Sequence, residues 1–384
     1  MFFSRKTEGK LILMLEIQSS LVRGSLIWFR TGTSPVILSS DSRPIPYKQN
    51  SNSAYLVKTA LKGLSEIIDA ASRRSKVPSA DKGHELLPTR IEEVHYVLSS
   101  PWVVSQARTL AMSFEKETDI TADRMADILN KERGNLIPAD GKPLEVVEEK
   151  IFDVRLNGYS IPNWLDKPTR ELEVAYAVSA SGGDYIKRLR EASAGIVRPD
   201  RIHFHSALLL QYIGLRKVMP ARETYTLLHI HGEITDAVVV DHGLCLFFCS
   251  YPMGVNNIVR KIAAATKTDI ETAGSLLSLY LGERLDEAHM RSSEPVMREM
   301  SEGWSREFEK LFKGNPLAEA LPRETIIVAR AHEDFFMKSF QNIHPHAKLE
   351  SMSLEQISSK VVYETAAERM RIIGICALAL CDII

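Results

Sequence analysis

The 384-residue chain is longer than one ordinary hydrophobic core supports, so two or more lobes are expected. With 45% hydrophobic and 25% charged residues and a net charge of -1, its composition is that of a globular protein and lacks the basic excess of a nucleic-acid binder. The four cysteines, Cys245, Cys249, Cys376 and Cys381, form no CxxC pair and no disulfide framework, which points to a reducing cytoplasm.

The opening run MFFSRKTEGKLILMLEI is broken by Glu16 and carries no small-residue cleavage signal, so no secretory leader is expected. LILMLEIQSSLVRGSLIWFR (11–30) predicts two strands joined by a polar turn at Gln18, Ser19 and Ser20, with a third strand at 35–39. Apolar residues at helical spacing predict a helix over 53–72, and SRRSKVPSADKGHELLPTR after it reads as a surface loop. EEVHYVLSSP predicts a strand, and ITADRMADILNKER a helix over 121–133 behind a capping residue. Asn157-Gly158 marks a tight turn between EKIFDVRL and the alternating strand RELEVAYAVSA, and GDYIKRLREAS follows as a helix. Residues 91–195 therefore form an expected α/β unit, inserted into a first lobe of 1–90 that resumes at 196–223. The second lobe is expected over 224–384.

TYTLLHIHGEITDAVVVDHGLCLFFCSYPMG (224–254) predicts three strands joined by tight turns, with imidazoles at His229 and His231 beside a turn that could hold a phosphate. Cys245 and Cys249, four apart on one strand, are expected on the same face as small buried hydrophobes. Helical patterns follow over 256–283 and 294–312. ETIIVARAHEDFF reads as a short buried strand leading to a loop, and RIIGICALALCDII, too short to span a bilayer of roughly 20 residues, as a buried final helix.

His-x-His occurs twice, at His229/His231 and His203/His205, which puts two rings on one face of a strand as metal ligands often are. Zinc wants three or four convergent ligands, and no cysteine or acidic residue stands at a metal-ligand spacing beside either pair. The expectation is therefore no metal and satisfied or partly exposed histidines.

The order of these elements resembles the actin-like ATPase superfamily, and within it the FtsA-type bacterial cell-division proteins. Three segments carry the resemblance. LILMLEIQSSLVRGSLI stands where the family has its first phosphate hairpin. KIFDVRLNGYSIPNWLDKPTRELEVAYAVSA looks like the hairpin of the family's small inserted subdomain. HGEITDAVVVDHGLCLFFCSYPMGVNNIVRKIA is similar to the second phosphate hairpin with its G-E-x-T-D turn and Pro-x-Gly. The resemblance implies an α/β, duplicated ribonuclease H-like fold with an inserted α/β subdomain. It also implies ATP binding, filament formation and tethering of a cytoskeletal partner at the inner membrane face.

The matching loop positions depart from that pattern. In the first hairpin Glu16 replaces the metal-facing acid and Gln18 fills the place of a glycine, although Ser19 and Ser20 could still bond an anion. In the second, where the family has Asp-x-Gly, this chain has His229 and His231, while Gly232, Glu233, Thr235 and Asp236 keep the turn. In the third, where glycines approach the adenosine, it has Ala329, Arg330, Ala331 and His332. Glycine is missing from all three at once, which opposes Mg-ATP in the usual pose.

The expected function is a scaffold or adaptor with a vestigial or weak ATP/Mg site, acting by self-association or filament formation and by contact with division proteins. A working ATPase using Glu16 and Glu233 around the metal is the alternative. A related adaptor type, PilM of pilus assembly, which binds a membrane partner, is the other. A cytoplasmic protein, peripheral to the membrane through a partner, is expected.

Overall fold

A computed structural model describes residues 9–46, 53–76, 89–133, 143–312, 321–329, 331–364 and 371–384. Strands β1 (Lys10–Ile17), β2 (Leu21–Phe29) and β3 (Val36–Pro44) form an antiparallel meander, followed by helix α1 (Ser53–Ser75) and strand β4 (Glu93–Leu98), which lies parallel to β1. β1 reads KLILMLEI and is buried from Leu11 to Ile17, the mark of a central strand covered on both faces. Helix α1 lies close on β2 because Gly24 faces Ile67 and Gly63 faces Val22, where side chains would collide. Residues 77–88, most of the expected surface loop, lie outside the described residues.

A separate four-stranded sheet comes next, from β5 (Val104–Asp119), helix α2 (Ala122–Arg133), β6 (Leu144–Leu156), β7 (Tyr159–Ser160) and β8 (Pro168–Gly182), in the order β5-β8-β6-β7. The turn after β6 has positive φ at both Asn157 and Gly158, as the Asn-Gly signal requires. β5 was not expected, because VSQARTLAMSFEKETD is a mostly exposed edge strand without clean alternation. Within the expected α/β unit of 91–195, this separate sheet covers 104–182. At one end, β4 pairs inside the first sheet. At the other, helix α3 (Gly183–Ser193) buries Tyr185, Ile186 and Leu189 in the core shared with α1.

The chain returns to the first sheet as β9 (Ile202–Ser206), and Ser206 then caps helix α4 (Ala207–Val218) by accepting from the Leu209 N–H. The second lobe begins with β10 (Tyr225–Ile230), β11 (Thr235–Asp241) and β12 (Leu244–Tyr251), followed by helices α5 (Val255–Thr266), α6 (Ile270–Leu281) and α7 (Glu287–Phe312). The chain continues through β13 (Glu324–Ala329), α8 (Glu333–Ile343), β14 (Lys348–Ser351), α9 (Leu354–Ser358), β15 (Val362–Tyr363), which returns to the first sheet beside β3, and α10 (Arg371–Leu380). A helix, α8, therefore stands where a loop was expected.

The two large sheets repeat one topology. β3-β2-β1-β4-β9 in the first and β12-β11-β10-β13-β14 in the second are each antiparallel on the hairpin side and parallel on the other. Between them lie α4 and α10, apolar from Ile372 onward, whose residues join Ile12, Met14, Leu227 and Val238 in one core. The outer face of the first sheet is covered by α1 and α3, and that of the second by α5, α6, α7 and α8.

One expected placement is corrected. β12 bulges opposite Val239 and Val240, so Leu246 has no partner on β11 and the alternation slips by one. Cys245 therefore enters the inter-sheet core while Cys249 packs on the outer helical core, on opposite faces rather than the same one. Burial pushes both thiols well up, as inert core cysteines require.

Candidate functional site

The two hairpin turns, β1 to β2 and β10 to β11, converge between the lobes and touch. The Glu233 N–H donates to Ser19 Oγ at 3.1 Å, and Gly232 lies so close to Ser20 that a side chain there would strike the Ser20 hydroxyl. Gln18, Ser19, Ser20, His229 and His231 are all buried. One backbone donor of the kind a phosphate uses, the Glu233 N–H, is therefore turned on the protein itself.

The acidic groups are taken as well. Glu16 accepts from the Gln18 amide at 2.6 Å through Oε1 and from Arg23 at 3.1 Å through Oε2. Gln18, which stands where the family has glycine, thus fills the turn and occupies the carboxylate beside it. Glu233 is gripped by both guanidinium nitrogens of Arg260, at 2.9 and 2.7 Å, and by the Asn256 amide at 2.8 Å. A two-nitrogen grip of this kind is strong and directional. It fastens the turn to the start of α5, where the Asn256 N–H donates to the Gly232 carbonyl at 2.7 Å. Both carboxylates of the working-ATPase alternative are thus engaged by donors of the protein itself.

His229 and His231 lie ring to ring, with centroids 3.9 Å apart. His229 Nδ1 is 2.9 Å from the Gln211 amide nitrogen, and His231 Nε2 is 2.8 Å from Asp236 Oδ2. The other Asp236 oxygen accepts from Ser250 at 2.6 Å, and Ser250 meets Ser100 of the first lobe at 2.7 Å. Burial works to raise the Asp236 carboxyl, but His231 and these hydroxyls hold it below its usual range. Thr235 donates to the Met253 carbonyl and accepts from the Trp304 indole at 3.1 Å, so it shapes the turn. Ser20 Oγ and His231 Nδ1 are buried and have no partner among the described residues.

At the third loop, Ala329 N–H donates to Glu333 Oε1 at 2.9 Å, and Arg371 bridges Glu333, Ser351 and the Met352 carbonyl. His332 adopts the left-handed conformation, with φ of 58°, and starts α8. Arg330 lies outside the described residues. The roles of Glu333 and Arg371 were not read from the sequence, since a glutamate opening a helix carries no signal of its distant arginine.

His229 makes an acid-stability prediction. Burial first, then His231, Arg23 and Arg371, hold its imidazole well below the usual 6.5. The folded protein keeps it neutral, whereas the unfolded chain takes up a proton once the pH falls below about 6.5. Stability is thus fully present above that value and declines below it, by up to about 1.4 kcal/mol per pH unit from this group. Denaturant midpoints at about pH 7.5 and 5.5 should drop in wild type and drop less in His229→Gln. Equal drops in both would remove His229 as the cause.

No family model and no curated protein matches the chain. Among solved structures it is similar to the PilM-PilN type IV pilus biogenesis complex, with a TM-score of 0.60, 16% identity and 97% of each chain covered. It also aligns with the ethanolamine utilization protein EutJ from Carboxydothermus hydrogenoformans, with a TM-score of 0.45, 10% identity, 96% of this chain and 89% of that one covered. A Bacteroides thetaiotaomicron protein with an actin-like ATPase fold aligns with a TM-score of 0.40, 10% identity and 99% of each chain covered. At these identities the likeness is one of fold. Twin sheets of one topology, helices α4 and α10 between them and two facing hairpin turns accordingly make this α/β chain a protein of the actin-like ATPase fold.

Proposed function

We propose that this chain is an actin-fold adaptor that works by protein contact, its nucleotide cleft closed by its own side chains. The observation that carries the reading is the bond from Glu233 N–H to Ser19 Oγ, which spends a turn donor on the opposite turn and leaves no gap for a triphosphate between them. Glu16 and Glu233, held by Arg23 and Arg260, support it. The cofactor reading that follows is ATP/Mg bound weakly or not at all, with no phosphoryl transfer.

The partner class we propose is a component of a pilus or related envelope machine, and the full-length likeness to a PilM-PilN complex supports it over a division role. No described helix is long and apolar enough to cross a membrane. We propose that attachment at the inner membrane face comes through that partner. The contact surface we propose is β5, a sixteen-residue edge strand exposing Val104 and Met112. Where it runs clear of β12, which packs beside it, such an edge offers unpaired backbone groups to an added strand, from a partner or a second copy.

Calorimetric titration with Mg-ATP should give no saturable heat, and sedimentation should show self-association that ignores Mg-ATP and weakens in a Val104→Lys, Met112→Lys variant. Micromolar ATP binding would sink the closed-cleft reading. Association unchanged in the variant would remove β5 as the contact.

A further inference from the structure

At the end of β4 away from the hairpin turns, the sheet gathers a second set of histidines. β4 and β9 run parallel with His95 opposite His203 and Val97 opposite His205, and Glu93 stands two residues before His95 on the same face. Ligand atoms of Glu93, His95 and His203 all lie within 4.8 Å of one another. Glu93 Oε2 is 3.2 Å from His95 Nε2 and 4.0 Å from His203 Nε2. Behind them His95 Nδ1 is 3.1 Å from His205 Nε2, and His205 Nδ1 is 3.1 Å from Glu148 Oε1 of the inserted sheet.

Counting protons along this row exposes a gap. Glu93, His95, His205 and Glu148 are joined by three short contacts, and each needs one hydrogen between its two heavy atoms. Two neutral imidazoles bring only two. Glu148 also accepts the Ser206 N–H at 2.9 Å, so as a carboxylate it takes the His205 Nδ1 hydrogen. His205 Nε2 then accepts from His95 Nδ1–H, and His95 Nε2 is left with a lone pair aimed at a Glu93 lone pair. That contact is where a positive partner is missing, and His203 Nε2 converges on the same carboxylate oxygen. The other oxygen, Oε1, is held by Lys10 at 3.1 Å and Arg201 at 2.8 Å, which leaves Oε2 for the imidazoles.

We propose that Glu93, His95 and His203 bind one divalent transition cation of the zinc class. Two imidazole nitrogens and one carboxylate oxygen are a borderline donor set that suits zinc rather than magnesium or calcium. His205 and Glu148 orient His95 from behind, as a carboxylate-backed histidine commonly does for a bound metal. His95 and Glu93 are buried, while His203 is half-buried and lines a cavity of about 500 Å³ shared with Glu148, Glu149 and Asp382, which leaves a fourth position open to water. Lys10 and Arg201 repel a cation, and Glu148 offsets them from the other side.

The test is calorimetric titration of the chelator-stripped full-length protein with zinc chloride at neutral pH. One equivalent should bind and raise the thermal midpoint, and Co²⁺ in its place should give the visible bands of a low-coordinate ion. His203→Ala and Glu93→Gln should each weaken binding by about 100-fold or more, and Glu148→Gln by about tenfold. His242→Ala, at an exposed histidine elsewhere, should change nothing. If Glu93→Gln does not fold, His203→Ala carries the test, since its ring is part exposed. No saturable zinc binding, or equal binding in His203→Ala, overturns the site.

Discussion

Trp304→Ala lowers the free energy of unfolding by about 3–5 kcal/mol, the usual cost of emptying a large aromatic site. Trp304 is the largest side chain of the outer helical core and is almost wholly buried. Its ring lies within 6.5 Å, centroid to centroid, of Tyr251, Phe308, Phe336 and Phe340, so its loss leaves four rings without a common neighbour. The indole N–H also reaches the Thr235 hydroxyl, which ties α7 to the second hairpin turn. Trp304→Phe separates the two contributions: it keeps most of the packing and should cost roughly 1 kcal/mol for the lost hydrogen bond, plus the smaller ring's deficit. Denaturant unfolding of both variants is the measurement. A cost below about 1 kcal/mol for the alanine variant would show that the aromatic cluster does not pack as described.

Gly214→Val should cost about 3 kcal/mol, at the upper end of overpacking penalties. A Cβ at Gly214 would run into the carbonyl oxygen of Ile375, and a backbone carbonyl in a packed helix cannot step aside as a flexible side chain can. The collision forces α4 and α10 apart. Lys217, which donates to the Leu378 carbonyl at 2.8 Å and meets Asp382, then loses its place. Faster hydrogen exchange confined to α4 and α10 would accompany the loss. Unchanged stability would mean the helices cross with more space than the structure shows.

Much of the architecture was legible because it rests on local signals. The two hairpins, α1, α3 and α10 follow from alternation, helical spacing and Asn157-Gly158, and the resemblance to actin-like proteins named the fold, although the finer FtsA-type assignment is not shown. β5 escaped because an exposed edge strand has no buried face to set a period. α8 escaped because its opening residues sit against a strand end with no capping side chain, His332 being left-handed. The bulge in β12 reversed the placement of Cys249, since one extra residue shifts every later side chain to the other face.

The site was legible only in part. Loss of glycine from the turns could be read directly, but that Gln18 and Arg23 would engage Glu16, or Arg260 would grip Glu233, depends on contacts the linear chain does not announce. The same holds for the histidines. The nearby acid in the sequence, Asp200, is exposed and paired with Arg198, whereas parallel pairing of β4 with β9 brings Glu93 and His95 beside His203 and His205 from more than a hundred residues away.

The bond between Ser19 and Glu233 has a consequence for how such a molecule would respond to its cell. Two jaws clasped by a diffusible ligand close to a degree set by that ligand's concentration, through mass action. In the adaptor we propose, both halves of the clasp belong to the chain itself, so its effective concentration is fixed and the closed state would not track the supply of nucleotide. Such a protein would hold the same shape in a starved cell as in a fed one.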